Sequence, residues 1–306
     1  MSKKLSSSTA LLLTIPPLLW AINMVLGRVA VPLMPPMLLN FTRWLLALLF
    51  LLPLAGWVLR ARSGLWPHWR RFALLGLLGT GCYNALQYLA LTTSSPINVS
   101  LVASSIPLWM LAVGRVFFGV RITRRQMVGA VLSIAGVLLV LARGQWRHLL
   151  DVHLVPGDIY VLLAALSWAF YSWLLIRRPQ PGTPDVPDAI RANWAAFLLA
   201  QVVFGLGWSG LFAAGEALVG TAPVQWSGKL LAILLFIAVG PAIVAFRCWG
   251  VGLQRTDPAL ASFFVNLTPL FAAVLSAAFL GEAPHLYHAV AFLLIVGGIV
   301  VTAWRR

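Results

Sequence analysis

The sequence predicts an all-α membrane protein of ten transmembrane helices, arranged as two inverted five-helix repeats. Three observations carry that prediction. First, the 306 residues are 61% hydrophobic and only 9% charged, against about a quarter charged in soluble domains, and the mean hydropathy is +0.92. Second, apolar runs of about 20 residues, the length that crosses a hydrocarbon core, recur along the whole chain. Third, the second half repeats the first at a fixed shift. The composition excludes a soluble enzyme, a disordered chain and a disulfide-built secreted module, because too few polar residues exist to cover a soluble surface.

In order, the predicted spans are about 9–31, 37–59, 72–92, 97–118, 126–142, 158–176, 191–213, 230–253, 259–280 and 286–304. Lys3 and Lys4 precede the first run as they would a signal peptide. Its length, Pro16-Pro17 and the lack of a small-x-small cleavage site favour a retained helix. A β-barrel would need short alternating segments, and runs such as Ile134–Val140 and Phe292–Val301 do not alternate. Cys82 and Cys248 lie inside apolar stretches and read as reduced filler.

The net charge of +15 would point to nucleic acid in a soluble protein. Here most of the basic residues lie between spans, with Arg28, Arg43, Arg115 and Arg247 inside or at the ends of spans, so no nucleic-acid partner is expected. With the N-terminus in the cytoplasm, ten spans place Lys3, Lys4, Arg60, Arg62, Arg70, Arg71, Arg121, Arg124, Arg125, Arg177, Arg178, Arg191, Arg255, Arg305 and Arg306 inside. Only Arg143, Arg147 and Lys229 fall outside. That bias predicts a multi-pass protein of the inner membrane with both termini cytoplasmic.

Shifted by 162 residues, Tyr83–Arg143 lies on Ala245–Arg305 without a gap. Pro96 meets Pro258, Pro107-Leu108 meets Pro269-Leu270, Gly119 meets Gly281 and Gly136 meets Gly298. A weaker match joins Leu18-Leu19-Trp20-Ala21 to Leu166-Ser167-Trp168-Ala169. Five spans per half reverse the direction of the second copy, as in many secondary transporters. The basic loop Val120–Arg125 and its partner Glu282–Tyr287, which has no Lys or Arg, fit that inversion. The two repeats are expected at 1–145 and 158–306. Pro107, Pro241 and Pro269 are read as mid-span breaks that serve either as hinges and gates or as static kinks; Gly79 stands at the position matching Pro241.

With these motifs in place, the chain resembles the drug/metabolite transporter superfamily, in its ten-helix, EamA-like type. The resemblance rests on Leu19–Arg28, Asn40–Trp44, Ala90-Leu91 with Ser95-Pro96, Pro107, Leu253–Pro258, Pro269 and Gly281-Glu282. It implies that the third, fourth, sixth, eighth, ninth and first helices surround a central cavity, with the fifth and tenth peripheral. It also implies export of amino acids or related small metabolites by alternating access.

Polar and aromatic residues inside spans are the site candidates. Asn23 is either a cavity residue or a hydrogen-bond link between helices. Asn84, Gln87 and Tyr88 share one helix face, which must meet a cavity or another helix. Arg247 either binds a substrate carboxylate or snorkels to the interface. Arg43 is expected to bond neighbouring helices, and Arg28 to lie near the outer mouth. Trp109, Trp168 and Tyr171 are read as an aromatic wall against the substrate's apolar part, with plain packing as the other reading. Gly76, Gly79, Gly129, Gly136, Gly297 and Gly298 are read as close-packing positions.

No carboxylate lies mid-span, which weighs against a proton antiporter built on one. No phosphate loop, zinc spacing or nucleophile elbow is present. No catalytic residue, metal or cofactor is therefore expected. The expected partners are a small-molecule substrate and membrane lipid, with the chain a monomer or weak homodimer. The alternatives are transport of sugars, nucleosides or drugs, and a membrane enzyme or lipid-handling protein using Glu282, His285 and His288.

Overall fold

The computed structural model describes residues 5–94, 99, 102–142, 145, 147, 155–177, 185–220, 222–280 and 286–304. Ser95, Pro96, Gly281, Glu282, His285 and the side chain of His288 lie outside the described residues. Among the described residues the structure is helical, without strands.

The first helix, α1, is Ser7–Ala30; Ser6 Oγ accepts the Thr9 amide and caps it. The second, α2 (Pro36–Ala55), begins with proline, which suits the first turn. The Glu216 carboxylate accepts the first-turn amides of Met37 and Leu38 at 3.1 Å. Three short 3₁₀ turns lead to α3, which runs as Trp69–Leu75, a π-helical stretch Gly76–Cys82, and Tyr83–Thr93. Then come α4 (Ile106–Phe118), ended by Gly119 at φ +65°, and α5 (Arg124–Leu141).

The second half opens with α6 (Pro156–Ile176) and α7 (Trp194–Val219), the latter capped by Asn193. Helix α8 is Gly228–Ile237, a π-helical stretch Ala238–Val244, and Ala245–Arg255. Helix α9 is Pro258–Phe263, a 3₁₀ turn Phe264–Asn266, and Leu267–Leu280; α10 is Leu286–Ala303. Among the described residues, five stretches are long and apolar enough to cross a membrane: Ser7–Ala30, Pro36–Leu59, Pro156–Ile176, Trp194–Val219 and Gly228–Arg255. The described parts of the other predicted spans are largely helical too, but shorter, more polar or interrupted.

The repeat is visible in the backbone. The π-helical stretches begin and end at positions 162 residues apart, and so do Tyr83–Thr93 and Ala245–Arg255. Arg124–Leu141 and Leu286–Ala303 stand in the same relation. The packing also maps onto itself when the halves are exchanged. Helix α5 packs on α10, and α2 on α7; Tyr83–Thr93 lies on α6 as Ala245–Arg255 lies on α1.

Glycine sets the α5–α10 approach. A Cβ at Gly129 would come within 2.7 Å of the Gly298 carbonyl, and one at Gly298 within 2.6 Å of the Gly129 carbonyl. Gly297 does not share this role: nothing lies within 4 Å of its Cβ position, because it points off the contact face. Of the three prolines, Pro107 falls in the first turn of α4, after a turn at 104–105, where helix amides have no intrahelical partner. Pro269 lies inside α9 just past its 3₁₀ turn, and Pro241 inside the π-helical stretch of α8, both within continuous helical runs.

Candidate substrate cavity

At the junction of the halves lies an aromatic cluster centred on Trp168, which is fully buried. Its ring centroid stands 4.3 Å from Tyr83, 5.0 Å from Tyr171, 5.1 Å from Trp20, 5.4 Å from Phe246 and 5.5 Å from Trp249. These residues come from α1, α3, α6 and α8. Helical spacing places Trp168 and Tyr171 on one face of α6. Tyr171 packs flat on α3, where a Cβ at Gly79 would meet its ring at 2.6 Å.

Beside the cluster runs a narrow cleft lined by Trp20 and Met24 of α1, Tyr83 of α3, Ser104 and Ile106 at the start of α4, and Asn266, Thr268 and Pro269 of α9. It has room for about one water molecule (≈ 10 Å³). Three buried polar atoms on its lining residues have no hydrogen-bond partner: Trp20 Nε1, Asn266 Oδ1 and Thr268 Oγ1. Buried polar groups are rarely left unpaired, so this cleft offers both donors and acceptors to something polar. Asn266 is held in place by its other end, as its Nδ2 donates to Ser133 Oγ at 2.9 Å.

The polar stripe of α3 meets α1 and α2. Tyr88 donates to Asn23 Oδ1 at 2.9 Å. Arg43 Nη1 donates to both Asn84 Oδ1 and the Tyr88 hydroxyl at 2.9 Å. Asn84 Nδ2 donates in turn to the Gly79 carbonyl at 3.0 Å. The sequence reading of Arg43 as a link between helices therefore matches the geometry, and Asn23, Asn84 and Tyr88 belong to the same buried chain. Gln87 is buried beside them.

Arg247 lies apart from this centre. It is exposed, with its guanidinium carbon 4.5 Å from the Trp194 ring centroid. It lines a side cleft of about 80 Å³ between α6, α7 and α8, with Tyr171, Gln201 and Gln254. Tyr171 donates to Gln201 Oε1 at 3.0 Å, forming part of that cleft's wall. Trp109 is half-buried and lines neither cleft. The side cleft shares Leu175, Arg191, Ala192, Phe197 and Gln254 with a vestibule of about 800 Å³. That vestibule opens where α4, α6 and α8 end, and Arg71, Arg177, Asp185 and Arg191 line it. Asp185 pairs with Arg71 at 3.6 Å and with Arg191, which also holds Asp188.

At the opposite end two hydrogen bonds cross between helices. Arg28 Nη1 donates to the Leu91 carbonyl. Ser94 Oγ donates to Asp158 Oδ1 at 2.7 Å, joining α3 to the first turn of α6. Among the described residues no group of His, Cys, Asp and Glu is placed to hold a metal.

The profile of the EamA-like transporter family matches residues 7–142 and again 155–304. The chain belongs to the EamA-like transporter family. It is 25% identical over 308 residues to an uncharacterized transporter of Archaeoglobus fulgidus, covering 99% of each chain. It is 26% identical over 236 residues to the aromatic amino acid exporter YddG of Ancylobacter novellus, covering 77% of this chain and 75% of that one. A crystal structure matches with a TM-score of 0.70 at 24% identity, over 97% of this chain and 96% of that one; that likeness speaks to the fold alone. Family and relatives are named as transporters, not enzymes.

The sequence reading missed Trp20, Tyr83, Phe246, Asn266 and Thr268 as lining or cluster residues. Two signals could have found some of them. Trp20 is the repeat partner of Trp168, and Asn266 stands 162 residues after Ser104.

Proposed function

We propose that this EamA-like transporter exports amino acids or related small amphiphilic metabolites across the inner membrane by alternating access. One observation carries the reading: the closed cleft with unpartnered donors and acceptors lies against an aromatic cluster, where residues of both repeats meet. Such a site offers hydrogen bonds to a polar end and ring faces to an apolar one. The repeats at 1–145 and 158–306 form two inverted five-helix units that rock about this centre. Asn23, Asn84, Gln87 and Tyr88 hold the wall that carries the cleft. Trp168 and Tyr171 form its aromatic side, and Trp109 lies on α4, away from the cleft.

The basic residues of the vestibule support reading that mouth as cytoplasmic, together with both termini. Arg247 and Trp194 then receive solutes from the vestibule before they reach the centre. Pro241 and the breaks before Pro107 and Pro269 are the flexing points. The name of the Ancylobacter novellus relative supports an amino-acid substrate.

The test is counterflow in proteoliposomes with radiolabelled phenylalanine, leucine, glutamate and lysine, plus a sugar and a nucleoside. Exchange of at least one amino acid, reduced tenfold or more by Asn266→Ala with Trp168→Ala, is expected. Exchange confined to the sugar or nucleoside overturns the substrate class. A C-terminal alkaline phosphatase fusion active in the periplasm overturns the orientation.

A further inference from the structure

The most anomalous charged group in the molecule is Arg43. Its residue is fully buried, and a guanidinium keeps its charge in any protein environment. Only one nitrogen is engaged: Nη1, with the neutral acceptors Asn84 and Tyr88. Nε and Nη2 are buried without a partner. The ion pairs among the described residues are made by Arg71 and Arg191 with Asp185 and Asp188, in the vestibule. The buried carboxylate of Asp158 is held at the start of α6 by Ser94 and the Val155 amide. No described acid therefore pairs with Arg43.

Trp44 Nε1, on the next residue, is also buried and unpartnered. Trp44 touches Phe246, which touches Trp168, so Arg43 borders the central cluster. The rings of Trp44 and Tyr88, 5.2 and 5.9 Å from the guanidinium carbon, soften the cost of burial without cancelling the charge. Asn40 Oδ1 on the same helix is an unpartnered acceptor, but it is neutral and leaves the charge unbalanced. A buried cation without a counter-charge is strongly disfavoured, and unengaged N–H groups on a guanidinium match a small anion.

We propose that Arg43 is an anion-binding residue, and that one small anion completes it through Nε and Nη2. The anion is chloride or the carboxylate of the transported solute. The second source rests on the exporter reading above; the first does not. Either way the anion ties α2 to α3 at the π-helical stretch, because Arg43 and the Gly79 carbonyl share Asn84. Where the anion is the solute's carboxylate, Arg43 and not Arg247 is its clamp.

The test uses the full chain in detergent, with thermal unfolding followed at constant ionic strength in sodium gluconate. Chloride, bromide, phenylalanine and phenylethylamine, which lacks the carboxylate, are titrated separately. A saturable rise of about 2–4 °C is expected with chloride and bromide, or with phenylalanine but not phenylethylamine. Halide response marks a resident or co-transported ion; phenylalanine response alone marks the substrate's carboxylate. Arg43→Gln should abolish the rise and Arg43→Lys should retain part of it. Should Arg43→Gln fail to fold, crystals of the unaltered protein in bromide supply a second measurement: an anomalous peak within hydrogen-bond range of Arg43. Equal melting of the unaltered protein in every anion overturns the proposal, and so does a rise that persists in Arg43→Gln. A halide rise without exchange of any amino acid in proteoliposomes overturns the exporter reading and leaves the anion site standing.

Discussion

The two π-helical stretches occupy equivalent places in the two repeats and reach the same backbone shape by opposite chemistry. Gly76–Cys82 reads Gly-Leu-Leu-Gly-Thr-Gly-Cys, whereas Ala238–Val244 carries Pro241 where the first has Gly79. A π-helical turn loosens the regular hydrogen-bond ladder. In the first repeat, side chains take up the carbonyls. Gly76 O accepts from Thr80 Oγ1, Leu78 O from Ser167 Oγ, Gly79 O from Asn84 Nδ2 and Thr80 O from Asn40 Nδ2. These donors come from α2, α3 and α6, so the stretch is clamped from three helices. In the second, the missing amide of proline accounts for the irregularity. No described side chain donates to carbonyls 238–244. One stretch is held by side-chain donors and the other is not, so the second repeat is the half expected to flex.

That contrast can be broken most forcefully at glycine. A Cβ at Gly76 would lie 2.6 Å from the Gly205 amide nitrogen and 2.8 Å from the Gln201 carbonyl, both backbone atoms. Gly76→Val should destabilise by about 3 kcal/mol or more, read as a large loss of melting temperature or of folded yield. Gly240→Ala in the other stretch meets only side chains, Leu19 at 3.4 Å and Phe236 at 3.6 Å, and should stay within about 1 kcal/mol. Comparable losses in both would erase the distinction.

Asn84→Ala is expected next in size. It removes the donor to Gly79 O and an acceptor of Arg43, and should cost about 2–3 kcal/mol in thermal or denaturant unfolding. Asn40→Ala deletes one buried donor and should cost about 1–2 kcal/mol in the same assay. Pro241→Ala should change stability by less than about 1 kcal/mol, since the helix regains a donor. Exchange in proteoliposomes should nevertheless fall several-fold as the second stretch stiffens; an unaltered rate would remove Pro241 from the moving parts. The smallest structural effect is expected for Arg247→Ala, an exposed position, at under about 0.5 kcal/mol. A fall in exchange at that unchanged stability, with a raised half-saturation concentration, would place the side cleft on the solute's path.

Much of the fold was legible because hydrophobic length and Gly and Pro positions are local quantities. The apolar runs marked the helices, and the shift of 162 located the paired breaks. Arg43 as an interhelical link was also legible, since a charge inside a span needs neighbours. Residue type alone could not say which neighbours a polar stripe meets. Asn84 and Tyr88 look alike as cavity residues and as interhelical ones until α2 is seen to supply Arg43. Trp109 and Trp168 are equally apolar in the sequence, yet one is the centre of the aromatic cluster and the other is a flank.

By itself, then, the sequence determined an α-helical membrane chain, its internal repeat and its family resemblance. These follow from composition and spacing, which the bilayer reads without reference to tertiary contacts. Only the tertiary structure decided that Trp20, Asn266 and Thr268 share one cleft, that Arg247 stands outside it, and that Arg43 is buried with two nitrogens unengaged. Those facts depend on which helix faces pack together, and packing is set by side chains far apart in the chain.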